Sequence, residues 1–165
     1  MKLIKTATAL FFRTVVAGVA IAGPGVDVGD TAPAFTLSDS AGKSVSLSDF
    51  NGKVVVLEWT NPDCPFVERH YKEGTMKAAA STYSPKGVVW LTVNSTNYMD
   101  QAANATFAKT EAINWTVLVD QDGTVGHAYG AATTPHMFII DTKGKVVYEG
   151  AIDDDPRGNK DASER

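Results

Sequence analysis

The sequence holds one cysteine, Cys64, in 165 residues. One thiol closes no disulfide within the chain, so the fold must rest on a packed core. Basic residues are not in excess: 15 Lys and Arg against 19 Asp and Glu leave a net charge of −4, which gives no electrostatic footprint for nucleic acid. The apolar run near the N-terminus, at 14–22, is shorter than the about 20 residues that span a bilayer. Internal repeats and low-complexity segments are absent. What remains, 44% hydrophobic and 21% charged residues, is the composition of one globular domain with a sizeable core.

The N-terminus differs from the rest. Lys2, Lys5 and Arg13 are basic, and no acidic residue precedes Asp27. The apolar run at 14–22 ends in Ala20-Ile21-Ala22, a small-residue cleavage pattern, ahead of Gly23-Pro24-Gly25. This is the pattern of a secretory signal peptide at 1–22. It predicts a periplasmic or secreted protein without stable membrane association after cleavage. Phe11 and Phe12 leave an uncleaved anchor as the alternative, and no cysteine follows the run to make a lipoprotein signal. Exported proteins usually pair their thiols, so an unpaired one points to a reactive thiol or to an intermolecular partner.

Residues 34–37 and 44–47 are short alternating runs around Ser40-Ala41-Gly42-Lys43, which predicts a β-hairpin. Residues 53–60 form a near-continuous apolar run, as in a strand buried on both faces. A helix is predicted from Pro65, whose missing N–H costs nothing at the first helical position. Gly74 predicts a kink or restart, and 84–87 a stop. A strand at 88–93, a helix at 100–112, a strand at 116–119, a short helix at 125–129 and a second hairpin, 137–140 with 145–148, follow. Strands alternating with helices imply a layered α/β sheet, parallel in its middle with antiparallel edges. Beyond Ile152 the chain turns polar, and 156–165 reads as a flexible tail.

Cys64 lies where the buried strand hands over to the helix, in Asn61-Pro62-Asp63-Cys64-Pro65-Phe66-Val67. Unpaired N–H groups at a helix N-terminus favour the thiolate, the nucleophilic form. The alternative is a buried, inert cysteine. Trp59 and Phe66 bracket Cys64 as walls of an apolar substrate pocket or as core. Three Asn-x-Thr/Ser triplets match the glycosylation pattern, which is too short to carry weight.

Taken together, these residues resemble a thioredoxin-fold redoxin of the alkyl hydroperoxide reductase/thiol-specific antioxidant superfamily, across roughly 28–155. Gly29-Asp30-Thr31-Ala32-Pro33-Ala34-Phe35-Thr36-Leu37 is similar to that superfamily's entry segment. The cysteine turn resembles exported members with an N-P-x-C-P-F-V motif, and Thr134-Pro135 resembles the cis-proline loop that faces the active cysteine. The resemblance implies a central mixed sheet flanked by helices, with an N-terminal β-hairpin extension, in a domain at 23–155. It implies Cys64 as nucleophile, Glu58 as a buried proton relay beneath it, and Pro135 with Thr134 as the edge that meets substrate. Asn61, Trp59, Pro65, Phe66 and His136 are the further candidates for substrate contact. Arg69 and His70 are expected on a solvated face and in a packed position, respectively.

The departures from the family pattern bear on mechanism. The second cysteine of thioredoxins is replaced by Val67. The peroxiredoxin Thr or Ser three residues before the cysteine is Asn61, with Thr60 one place early, and Pro135 stands where peroxiredoxins carry arginine. The nearest subfamily also continues into a C-terminal helix with a further cysteine, which this sequence lacks. The implied function is a thiol-dependent oxidoreductase. Cys64 attacks a disulfide or a hydroperoxide, and an external thiol or redox partner protein resolves the product. No cofactor or metal is expected in that reading. Two alternatives stand beside it: a copper-binding module using Cys64 with His127 or His136, and a non-catalytic partner-binding domain of the same fold.

Overall fold

The computed structural model describes residues 25–155 and 158–160. The expected signal peptide at 1–22, and 156–157 with 161–165 of the expected tail, lie outside the described residues. The described residues build a seven-stranded sheet from β1 (Thr36–Asp39), β2 (Ser44–Ser46), β3 (Val55–Thr60), β4 (Val89–Asn94), β5 (Thr116–Val119), β6 (His136–Ile140) and β7 (Val146–Gly150). Among the described residues four α-helices accompany it: α1 (Pro65–Lys72), α2 (Thr75–Tyr83), α3 (Gln101–Thr110) and α4 (Thr124–Tyr129). The sheet order is β2-β1-β5-β4-β3-β6-β7. The β5-β4-β3 centre is parallel, and β1 and β6 pair antiparallel on its two sides. This is the mixed sheet with an N-terminal hairpin extension that the sequence predicted.

Every residue of β3 is buried, because both faces of this central strand are covered. Val55, Leu57 and Trp59 face a core built with Phe35, Val125, Tyr129 and Phe138. Val56 faces the opposite core, with Val67 and Tyr71 of α1, Met76 of α2 and Phe107 of α3. The period-2 alternation of a strand thus assigns Glu58, between Leu57 and Trp59, to the layer that contains α1. The predicted break at Gly74 is real: its φ of 76° is left-handed, a conformation that favours glycine, and α2 begins at the next residue.

A polar network fixes α4 at the carboxyl end of the sheet. Asp120, 1% exposed, accepts from the N–H groups of Val125 (3.0 Å) and Gly126 (2.8 Å) and from Ser95 Oγ (2.6 Å). Ser95 Oγ in turn accepts from the Trp59 indole at 3.0 Å. A Cβ at Gly126 would sit 2.8 Å from Ser95 Oγ, so only glycine lets α4 come this close. Asp120→Ala strips α4 of its cap and leaves buried donors unpaired. It is expected to lower unfolding free energy by about 2–4 kcal/mol, read by urea denaturation.

The segment after β7 is not simply solvated. Asp155, 4% exposed, accepts from the N–H groups of Asn159 (2.8 Å) and Lys160 (2.9 Å). Arg69 Nη2 donates to the Asp155 carbonyl at 3.0 Å and lies 3.8 Å from the Asp153 carboxylate. The solvated face expected for Arg69 is therefore corrected: its side chain is 19% exposed and ties this segment to α1. His70 is packed as expected, 1% exposed.

Candidate active site

The site forms where β3 ends. Asn61 Oδ1 accepts from the Asp63 N–H at 2.9 Å, and the Asn61 carbonyl accepts from the Cys64 N–H at 3.0 Å. These two bonds turn the chain so that Cys64 becomes the N-cap of α1, with Pro65 in the first turn. Cys64 is half-buried, its side chain makes no capping hydrogen bond, and its thiol donates instead to the Thr134 carbonyl at 3.1 Å. The Thr134–Pro135 peptide is cis. Residues 70 positions apart thus meet at the carboxyl end of β3, as the family resemblance implied. The first N–H groups of α1 have no partner within the helix and are available to a thiolate at Cys64.

Glu58 is fully buried and takes three donors: Tyr71 Oη on Oε1 at 2.7 Å, and Trp90 Nε1 (2.9 Å) and Thr92 Oγ1 (3.1 Å) on Oε2. Trp115 Nε1 donates to Thr92 Oγ1 at 2.8 Å and so aims that hydroxyl at Glu58. Burial raises the Glu58 carboxyl from its ordinary 4.5 to about 7, and the three hydrogen bonds only moderate the rise. Glu58 can therefore exchange a proton near neutral pH. Burial and the facing Glu58 carboxylate push the Tyr71 phenol far upward, so Tyr71 stays a neutral donor.

Other candidates are placed differently. Trp59, 2% exposed, packs its ring 5.1 Å from Tyr129 and 5.3 Å from Phe138, so it is a core residue whose edge reaches a cleft. Phe66, two residues after Cys64, is 48% exposed. Pro65 is exposed. His136 is turned away from Cys64: its ring stacks 4.5 Å from Phe138, in the core opposite the one Cys64 touches, and its Nε2 lies 3.7 Å from Glu149. This orientation sets His136, a candidate for substrate contact, on the face away from the core that Cys64 touches. It is decided by strand parity, since His136 and Phe138 share one face and Met137 the other. Burial lowers the His136 imidazole, against the opposing pull of Glu149. Among the described residues no three His, Cys, Asp or Glu side chains gather as a metal site.

The partners of Glu58 escaped the sequence reading. Trp90, Thr92 and Asn94 put hydrogen-bonding side chains at every second position of an otherwise apolar strand. That spacing is a legible signal for a buried polar row facing a neighbour. Tyr98 gave no such signal. It follows β4 in a loop, yet its hydroxyl donates to Asp63 Oδ2 at 2.6 Å, across the turn that carries Cys64.

A strand-to-helix cysteine facing a cis-proline loop is now in place. The profile of the Redoxin family matches residues 27–164. The chain belongs to the redoxin family. It is 34% identical over 121 residues to the thiol-disulfide oxidoreductase ResA of Geobacillus thermodenitrificans, covering 73% of this chain and 67% of that one. Identity to ResA of Bacillus subtilis is 32% over 129 residues, covering 74% and 66%. Among solved structures, an uncharacterized conserved protein from Geobacillus kaustophilus superposes with a TM-score of 0.76 at 29% identity, covering 82% of this redoxin and 75% of that chain. A putative thiol:disulfide interchange protein DsbE from Chlorobium tepidum gives 0.68 at 29% identity, covering 77% and 86%.

Proposed function

We propose that this redoxin is a thiol-dependent oxidoreductase in which Cys64 is the nucleophile in thiol–disulfide exchange. The observation that carries the reading is the Cys64 thiol at the N-terminus of α1, 3.1 Å from the Thr134 carbonyl. That carbonyl accepts from the thiol, so deprotonation removes the bond and leaves Sγ to the free N–H groups of the helix. The Cys64 thiolate attacks one sulfur of a substrate disulfide. A Cys64–substrate bond forms, the substrate S–S bond breaks, and the departing thiolate takes up a proton. A thiol from another molecule then attacks the Cys64 sulfur of the mixed disulfide and releases the second substrate thiol, and a second such thiol attacks the new mixed disulfide, returning Cys64 to the thiolate and leaving the two external thiols joined as a disulfide. Two external thiols thereby supply the two electrons that reduce the substrate.

The names of the ResA and DsbE relatives support disulfide rather than hydroperoxide as substrate, and so does Pro135 at the arginine position of peroxiredoxins. Glu58, raised to about 7, is the proton-exchanging group of the site. Thr134, Pro135 and Asn61 present backbone and amide groups to an incoming chain, with Phe66 as an apolar contact. The redox partner is an external thiol or thiol protein. Export to an oxidising compartment is supported by the N-terminal sequence and by the lone thiol. Incubation of the reduced protein with 2-hydroxyethyl disulfide is expected to give one mixed disulfide, located at Cys64 by peptide mass. Recovery of unmodified Cys64 under conditions that label a free-thiol peptide would end this reading.

A further inference from the structure

Beside the Thr134 carbonyl, an open cleft of about 480 Å³ runs along the carboxyl ends of β3 and β4. Its polar lining comes from Thr60 and Asn61, from 95–97 and from Thr133 and Thr134, and none of its lining residues is charged. Asp63 and Tyr98 follow Asn61 and Asn97 closely in the chain and lie outside the lining of the cleft. Asp63 is exposed and adjoins Cys64. Two bonds hold it: its N–H donates to Asn61 Oδ1 at 2.9 Å, and its Oδ2 accepts from Tyr98 at 2.6 Å. A carboxylate next to the nucleophile opposes the positive N-terminus of α1, whose first turn also carries Glu68. The tether from Tyr98 keeps that carboxylate at the reacting turn rather than swinging in solvent.

We infer that Asp63, positioned by Tyr98, is a specificity determinant that makes Cys64 favour disulfides bearing positive charge beside the reacting sulfur. This rests on the reading of Cys64 as the exchanging thiol. The physiological substrate is then a polypeptide cysteine flanked by Lys or Arg rather than a small acidic thiol. An ammonium group within about 6 Å of a surface carboxylate gains enough Coulomb energy to favour it about threefold, and an anion loses a similar factor. Salt screens both effects.

The test compares three disulfides of similar size: cystamine (cationic), 2-hydroxyethyl disulfide (neutral) and 3,3′-dithiodipropionate (anionic). Each second-order rate at low ionic strength is divided by the same variant's rate with the neutral probe, so a change in overall reactivity cancels. The probes differ in leaving-group pKa as well as in charge, so the native preference for the cation over the anion is expected to be the intrinsic one multiplied about tenfold. Asp63→Asn keeps an acceptor for Tyr98 but removes the charge, and should cut that preference at least threefold. Added KCl at 0.5 M should bring the native ratio to that of the variant. An equal ratio in native protein and Asp63→Asn, or a salt-independent ratio, overturns the inference while leaving exchange at Cys64 intact. Failure of all three probes to modify Cys64 overturns the functional reading instead.

Discussion

Cys64→Ser is expected to abolish disulfide exchange, lowering the rate at least about 10³-fold, to the buffer background. The chemistry requires a sulfur anion, and a serine hydroxyl in the same place stays protonated under these conditions. No other thiol exists in the chain to substitute. The change is not a folding defect. Cys64 is half-buried and contributes a single thiol hydrogen bond, to Thr134. Serine can donate to the same carbonyl. Unfolding free energy should stay within about 1 kcal/mol of the native value. Both readouts belong in one experiment: insulin or 2-hydroxyethyl disulfide reduction with an external thiol, beside a urea titration. Residual turnover above a few per cent in the folded variant would remove Cys64 from the mechanism.

The largest effect on stability is expected at Glu58. Glu58→Ala removes the acceptor of Tyr71, Trp90 and Thr92 at once and leaves a cavity between β3, β4 and α1. The cost is about 3–5 kcal/mol, a large part of the about 5–15 kcal/mol that holds a domain of this size. Glu58→Gln is the informative partner. The Trp90 indole can only donate, so the amide oxygen must face Trp90 and Thr92, and the amide NH2 must face Tyr71. The Tyr71 hydroxyl can rotate to accept from it. Glu58→Gln is therefore tolerated far better than alanine.

The same pair of variants exposes the proton on Glu58. Its carboxyl is raised by burial to about 7 from an ordinary 4.5. Between those values the folded chain holds a proton that the unfolded chain has released. Unfolding free energy consequently falls as pH rises through this window, by up to about 3 kcal/mol. Below the window both states are protonated, and above it both are ionised, so the slope vanishes at each end. Urea midpoints at pH 4.5, 5.5, 7 and 8 should show this decline in the native protein but not in Glu58→Gln. Parallel pH profiles for the two proteins would mean that Glu58 is ionised throughout.

Much of the scaffold was open to reading in the sequence because the signals are local. The apolar run of β3, Pro65 after Cys64, the break at Gly74 and the two hairpin turns each act within a few residues of where they stand. Cys64 could be placed on the tip of α1 for the same reason. Thr134–Pro135 was reached only through resemblance. Its local sequence does not encode a meeting with a thiol 70 positions earlier. The orientation of His136 was not legible because strand parity, not proximity in sequence, decides which core a side chain enters. Arg69 was misplaced because its partners, Asp153 and the Asp155 carbonyl, come from a polar stretch that reads as tail.

By itself, then, the sequence determined the order of strands and helices, the position of the single thiol at a strand-to-helix junction, and a composition that needs a two-sided core. Periodicity and turn chemistry are short-range, so they survive in one dimension. Only the tertiary structure decided what surrounds that thiol. It set the Thr134 carbonyl against Sγ, gathered Tyr71, Trp90 and Thr92 on the carboxyl of Glu58, and laid Tyr98 across to Asp63. Each of those contacts joins residues far apart in the chain. Their energies depend on burial and distance, which exist only once the sheet has brought its strands together.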